Sequence, residues 1–538
     1  MDLEVFNGID YTTGDYLMPP VTASELARWA LEARRDLKEE RELRWSHERD
    51  FRNRGPDRRP APDVDPLDLS SSGWGVILPH GTPAEVVDAL RPLLNLRREQ
   101  ATKKNEKYYR ELDYVPGESK DSFFRRHKVE AGPAHPSQLP YYLLVVGSPE
   151  VVPYRFQYLL DMQYAVGRLY FEDPVDYRQY AESVVAAECG RSHVRPEACF
   201  FSVRTPKDSA TRISEERLVR PLIDSLGSKV PEWKLRSVGG EQADKATLHR
   251  LLGDGETPAL LLTAAHGLGF AKDHPLQPQH QGGIICREWP GRKRPVLDDH
   301  YFSAVDVGDD ARVHGLIAFL FGCYSAGSPD EDNFPASGAW GQPIEPPSKP
   351  FISGLVRRLL SHPRGSALAV VGHVDRAWAC SFGSGRGHGI VHVESFFQQL
   401  LEGFPIGLAM DWLNERFAEL STGLTDVLDR FRKDPLPAEG RRLARDEKML
   451  ADLWRANNDA RNFVVLGDPA VRLAAGPRVA RKPAVVDRRV SGGVHVPVRS
   501  HWGRHVDDWL AEIETRQPMN LSTDPAAAVR ALREQEEA

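Results

Sequence analysis

Leu260-Leu261-Leu262-Thr263-Ala264-Ala265-His266-Gly267 and Leu316-Ile317-Ala318-Phe319-Leu320-Phe321-Gly322-Cys323-Tyr324-Ser325-Ala326-Gly327 are apolar runs with the length and composition of buried strands. Each stops abruptly in small residues. A histidine followed by glycine ends the first, and a cysteine preceded by glycine ends the second. Runs of this kind suit neighbouring strands of a parallel sheet, which holds its reactive groups at the carboxyl ends of its strands. On this reading a thiol and an imidazole sit side by side on a rigid edge, as a nucleophile and its base.

The chemistry asks for these residue types. A free thiol, with a pKa of about 8.5, is mostly protonated near neutrality, and the thiolate is the attacking species. His266 would take the proton from Cys323 and return it to a leaving amine. The backbone N–H groups of Gly267 and Cys323 would hold the oxyanion formed on the attacked carbonyl. Glycine beside each residue lets a substrate backbone approach with no Cβ in the way. A lone cysteine at the end of an apolar run is more often simply buried. The paired order, strand-His-Gly and then strand-Gly-Cys, is what points to catalysis.

This order and context resemble the caspase-like superfamily, and within it the gingipain-like and CHAT-domain peptidases. Gly365–Trp378 resembles the next sheet strand of a CHAT domain with its tryptophan-bearing loop, and Phe396–Gly403 the helix ending in glycine that follows. Asn462–Leu473 resembles the closing strand with its Gly-Asp-Pro turn. Tyr142–Pro153 and Ala165–Leu169 are similar to the subdomain that precedes the catalytic half in gingipain-like enzymes. The resemblance implies an α/β, caspase-like fold: a mostly parallel sheet flanked by helices and preceded by a smaller α/β subdomain. It implies a Cys323–His266 dyad working through a thioester, without cofactor or metal. One position departs from the metacaspase pattern, which has Asp two residues before the nucleophile; here Phe321 stands there.

A chain of 538 residues holds about three ordinary domains, or one large one with extensions. A net charge of -7 argues against nucleic-acid binding over the whole surface. Five cysteines without regular spacing do not make a disulfide framework, which favours a reducing, cytoplasmic setting. Met1–Gly8 lacks the basic-then-apolar pattern of a signal peptide, and no apolar run reaches the ~18 residues of a membrane span.

Composition divides the chain into a charged, helical extension (1–72), an α/β subdomain (73–195), a catalytic domain (196–475) and a tail (476–538). A helix rich in Arg and Glu is expected from Ala23 to about Arg49, and prolines 56, 60, 62 and 66 mark a linker or exposed arm. The helix opening at Pro83 is expected to end or kink at Pro92. Residues 97–128 read as a charged surface of helix and loop, and 267–307 as a long loop.

A specificity pocket should carry charge opposite to the substrate side chain. In caspase-like relatives the loop after the first catalytic strand can supply it, and here that loop holds Arg204, Asp208 and Arg212. Asp208 would favour Arg or Lys before the scissile bond, the preference implied by gingipain-like relatives. Arg204 or Arg212 would favour Asp or Glu. Asp375 is a second acidic candidate, with Trp378 as a wall. Cys323-Tyr324-Ser325-Ala326-Gly327 lacks the first glycine of a hydrolase elbow, so Ser325 is not the expected nucleophile. Gly383–Gly389 lacks the Lys-Ser/Thr of a phosphate loop, and His388 and His392 lack the intervening Glu of a zinc peptidase. Two charged stretches, 328–350 and 429–448, are candidate control or self-cleavage loops.

Together these readings predict an intracellular cysteine endopeptidase cutting specific proteins after a basic residue, in bacterial proteolytic signalling or antiviral defence. As a zymogen it would be switched on by a partner, a regulatory protein or an upstream protease. The N-terminal arm and the tail are the natural places for that control. A silent caspase-like scaffold that binds protein partners is the rival, as is caspase-type specificity for acidic residues or transfer of a non-peptide acyl group.

Overall fold

Strands that are apolar on both faces must be covered on both faces, and here they assemble into one sheet. The computed structural model describes residues 6–18, 20–32, 60–61, 63–130, 132–192, 194–253, 255–330, 346–378, 388–433 and 441–476. The strands are β1 (Gly8–Asp10), β2 (Trp74–Pro79), β3 (Tyr109–Tyr114), β4 (Tyr142–Val146), β5 (Ala165–Leu169), β6 (Arg195–Ser202), β7 (Lys234–Gly239) and β8 (Pro258–Ala264). They continue as β9 (Gly267–Gly269), β10 (Ile284–Ile285), β11 (Tyr301–Phe302), β12 (Ile317–Phe321), β13 (Gly327–Ser328), β14 (Phe351–Ile352), β15 (Ala369–His373) and β16 (Phe463–Gly467).

Ten of them form the main sheet, in the order β3-β2-β4-β5-β16-β15-β12-β8-β6-β7. Every neighbouring pair is parallel except β15 with β16. The fold is therefore α/β with a mostly parallel sheet flanked by helices, as the apolar runs predict. The strands of 73–195 and of 196–475 share this sheet, joined where β5 meets β16 at Arg168 and Leu466. A second sheet, β1-β9-β10-β11, stands at the end of β8. It is built from what reads in sequence as a structureless loop, together with residues from the start of the chain.

The central strands β8, β12, β15 and β16 are buried along their whole length. Phe319 packs against Phe396 and Phe397 of the helix His388–Leu401 and against Phe463 of β16, tying the middle of the sheet to its cover. Two expectations are corrected. The helix Ala84–Ala101 does not end at Pro92 but continues through it. Its buried stripe, including Leu90, Leu93, Leu94 and Arg97, packs on the helix Pro174–Glu188, and this packing outweighs the ~3 kcal/mol cost of an interior proline. Residues 109–114 form an edge strand, β3, whose Leu112 and Tyr114 alternate with exposed charges because only one face needs cover. The helix expected from Ala23 is described as Ala23–Glu32. Residues 33–49, 331–345 and 383–387, the 434–440 part of the Arg-rich stretch, and the tail beyond 476 lie outside the described residues. Among the described residues no helix is long and apolar enough to cross a membrane, and no cluster of His, Cys, Asp or Glu is arranged to hold a metal ion.

The Gly-Asp-Pro turn after β16 acts as a clamp. Asp468 is fully buried and accepts from Trp74 Nε1 at 3.0 Å and from Arg97 Nε at 2.7 Å, and Arg97 also pairs with Glu188 at 2.5 Å. The Asp468 N–H donates to the Tyr180 hydroxyl at 2.6 Å, and that hydroxyl donates to the Leu368 carbonyl. One carboxylate thus bonds the first strand of the subdomain to the last strand of the catalytic part. Removing it leaves the buried Arg97 charge short of its main partner. Asp468→Ala is therefore expected to lower stability by about 3–5 kcal/mol, read as a lower urea midpoint, and Arg97→Met with Asp468→Leu to recover part of that loss.

Candidate active site

β12 pairs with β8 so that Phe321 faces Ala264. His266 and Cys323 each lie two residues beyond these positions, so the register brings both to the same level at the carboxyl edge of the sheet. Gly267 is needed here for close approach: a Cβ on it would fall 1.9 Å from the carbonyl oxygen of Cys323. Tyr324 turns the chain sharply after the cysteine in the left-handed region, at φ 57°, at a cost on the order of 1–2 kcal/mol. Its N–H is held by the Asp375 carbonyl at 2.9 Å. The Ser325 hydroxyl donates to the Leu320 carbonyl at 2.7 Å and accepts from the His373 N–H at 3.0 Å, so it staples β12 to β15 and is not presented to a cleft.

His266 is buried, with Nε2 3.0 Å from Asp208 Oδ2. A carboxylate only accepts, so Nε2 carries a proton, and in the neutral imidazole the lone pair falls on Nδ1. Nδ1 has no hydrogen-bond partner. Asp208 also accepts from the Tyr16 hydroxyl at 2.9 Å and from the N–H and hydroxyl of Thr211 at 2.8 and 3.0 Å. Burial alone would raise its pKa, but His266 and these donors hold the carboxyl well below the usual carboxylate range. The same burial and the Asp208 charge push the Tyr16 phenol above its ordinary value.

Cys323 is fully buried. Its sulfur accepts from the Ala377 N–H at 3.2 Å and lies 3.7 Å from the Ala377 carbonyl oxygen. Burial pushes the thiol up to about 12, with the Ala377 N–H acting the other way, so the group is neutral near pH 7. The N–H groups of Gly267 and Cys323 converge on a single acceptor, the carbonyl oxygen of Asn7, at 2.9 and 3.0 Å.

The other residues singled out by sequence fall at different depths. Trp378 is buried, with its ring 3.7 Å from that of Phe6 and its backbone N–H on Asp459 Oδ1 at 3.0 Å. Asp375 is buried at the end of β15 and accepts from the Arg376 N–H at 2.7 Å. Arg204 and Arg212 are exposed and paired with Glu215 and Glu216 at 3.2 and 2.9 Å. Their loop, 204–212, lines a cavity of about 380 Å³. Asp208 belongs to this loop, yet its bonds run inward to His266 and Tyr16. Sequence reasoning missed Asn7, Tyr16 and Ser214. Asn7-Gly8 is at most a turn-type dipeptide, and nothing around Tyr16 carries a chemical pattern.

No family model and no curated protein sequence matches the chain. Solved structures do resemble it. A structure described as a protease is 12% identical, with a TM-score of 0.44 over 79% of this chain and 81% of that one. The Arg-specific cysteine proteinase gingipain R is 11% identical, with a TM-score of 0.42 over 76% and 80%. The complex of the pro- and mature domains of RgpB from Porphyromonas gingivalis is 12% identical, with a TM-score of 0.39 over 74% and 79%. At this level of likeness the functional reading rests on the chain's own side chains.

The closed site has a direct consequence. Of the described cysteines, Cys189 is exposed whereas Cys199, Cys286 and Cys323 are buried. While Phe6–Asp10 fills the cleft, iodoacetamide at pH 7 is expected to modify Cys189, and Cys323 only once that segment has left the cleft or the protein is unfolded, as read by peptide mass mapping.

Proposed function

We propose that the chain is a cysteine endopeptidase in which Cys323 is the nucleophile, His266 the base and then the acid, and Gly267 with Cys323 the oxyanion hole. The observation that carries this reading is the convergence of two backbone N–H groups on one peptide carbonyl oxygen, beside a thiol and an oriented imidazole. Nδ1 of His266 takes the thiol proton as Sγ attacks the substrate carbonyl carbon. The oxyanion is held by the two N–H groups, and His266 passes the proton to the departing amine as the C–N bond breaks. Water, deprotonated by His266, then attacks the thioester, releases the acid and restores the thiol. Each oxyanion donor in sites of this kind is worth about 10²–10³ in rate. Asp208 keeps Nε2–H in place and stabilises the imidazolium, as an orienting carboxylate does. This role replaces that of a charged pocket floor, because its oxygens are already bonded to Tyr16, His266 and Thr211.

The substrates are proteins, and a regulatory partner or processing event belongs to the same proposal, as does a cytoplasmic role in bacterial signalling or defence. Cutting after Arg, the specificity of gingipain R, would here draw on Asp375 instead of Asp208. A silent scaffold is favoured by one observation, the buried thiol with its oxyanion donors already occupied.

Incubating the full chain with fluorogenic peptides and a peptidyl acyloxymethyl ketone probe separates these readings. Cys323→Ala is expected to abolish both hydrolysis and labelling, and His266→Ala to lower kcat/KM by about 10²–10⁴-fold. Asp208→Asn should lower kcat with little change in KM and alter the pH–rate profile, which a merely structural role would not do. Hydrolysis that survives in Cys323→Ala, or a wild type that never labels, would remove the peptidase assignment.

A further inference from the structure

The oxyanion donors are occupied by the chain itself, and the occupant lies in the pose of a substrate. Asn7 presents its carbonyl oxygen to Gly267 N–H and Cys323 N–H, while its own N–H donates to the Ala377 carbonyl at 2.9 Å. One residue earlier, Phe6 forms an antiparallel bridge with Trp378 and rests its ring on the indole. The segment before the carbonyl is thus an added strand along 377–378, the usual way a cleft grips a peptide. That edge is fixed from behind, since the Trp378 N–H is bonded to buried Asp459. The segment after the carbonyl, β1, pairs in parallel with β9, Gly8 facing Gly267, and the Tyr11 N–H donates to the Gly269 carbonyl at 2.9 Å.

Gly8 marks the place of the thiol. A Cβ on it would lie 2.7 Å from Cys323 Sγ and 2.3 Å from Leu17 Cδ1, so the sulfur lies against the residue that follows the Asn7 carbonyl. The Asn7 side chain is fully buried, Nδ2 donates to the Ser214 hydroxyl at 2.9 Å, and Oδ1 has no partner. The group that meets this side chain is therefore a hydroxyl, not a carboxylate. Asp208, on the loop that leads into the helix of Ser214, is committed to His266, Tyr16 and Thr211.

We infer that the cleft selects peptides with asparagine before the scissile bond, and that its first substrate is the chain's own Asn7–Gly8 bond. This rests on the peptidase reading above and adds its substrate class. In the reaction, Cys323 Sγ bonds to the Asn7 carbonyl carbon and the thiol proton passes to His266 Nδ1. The Asn7–Gly8 C–N bond breaks as that proton moves to the Gly8 nitrogen, leaving an Asn7 thioester. Water hydrolyses the thioester to an Asn7 carboxylate and regenerates the thiol. The cut frees the segment ending at Asn7 from the 377–378 edge, while β1 stays paired with β9, so the peptide-gripping half of the cleft opens for a substrate in trans.

The test uses the full chain in reductant at neutral pH, followed by intact mass and by coumarin peptides ending in Asn, Asp, Arg or Lys. A product beginning at Gly8 is expected from wild type and not from Cys323→Ala, which separates catalysis from spontaneous Asn-Gly chemistry. Asn7→Gln, which adds one methylene in the same pocket, should slow the cut by about 10–200-fold. The Asn peptide should be cleaved at least about tenfold faster than the others, by the same kind of discrimination. An uncut chain that nonetheless hydrolyses Arg, Lys or Asp peptides in a Cys323-dependent way would overturn the inference and leave the peptidase standing. No Cys323-dependent hydrolysis of any peptide, with the chain uncut, would overturn both.

Discussion

The parallel pairing of β8 with β12 is the constraint on which the rest of the molecule depends. A sheet has a side-chain period of two, so a slip of one residue between these strands would exchange the faces of all their side chains and undo the packing on both. The pair is buried on both faces and cannot slip. Its register, with Phe321 opposite Ala264, therefore holds His266 and Cys323 abreast just beyond the last bridges. The aromatic packing of Phe319 on Phe396, Phe397 and Phe463 and the buried Asp468 clamp serve the same end, because they keep the central strands from shifting.

A parallel edge that delivers two N–H groups to one point also creates a liability. Buried backbone donors need partners, and a dry cleft would leave those of Gly267 and Cys323 without any. The carbonyl of Asn7 meets both, and the insertion of Phe6–Asp10 extends two strand edges at once. The same insertion removes water from Cys323, which accounts for a neutral thiol with a pKa near 12. Closure and the neutral thiol thus have a common cause, since the strand that satisfies the donors is the strand that lies against Cys323.

Asp208 illustrates how position alters the meaning of a charge. In sequence it is one acid among Arg204, Lys207 and Arg212 on a loop, and a charge of that kind reads as a candidate for binding an opposite charge. In space the chain turns it inward as the cap of the helix Ser209–Ser214, and its second oxygen reaches His266 and Tyr16. Its neighbours Arg204 and Arg212 face outward and find glutamates of the following helical turns. The difference lies in which residues cap a helix and which project from it, and that is set by local backbone geometry.

The apolar runs, their length and their endings in His-Gly and Gly-Cys were sufficient to locate the central strands and the parallel sheet, and to set a histidine and a cysteine together at its edge. This information is local, because burial on both faces writes itself into consecutive residues. The edge strand β3 and the continuation of a helix through Pro92 were not legible, since each depends on a neighbour distant in sequence covering one face. Least legible was the seat of Asn7. Its partners are Gly267, Cys323, Ala377 and Ser214, and three of the four bonds are made by backbone atoms that every residue type carries. By itself the sequence determined which strands form the core and which polar side chains stand at their ends, because hydrophobic periodicity and residue type are properties of adjacent positions. Only the tertiary structure decided what orients His266 and what fills the cleft, because hydrogen bonds between remote backbone and side-chain atoms leave no pattern along the chain.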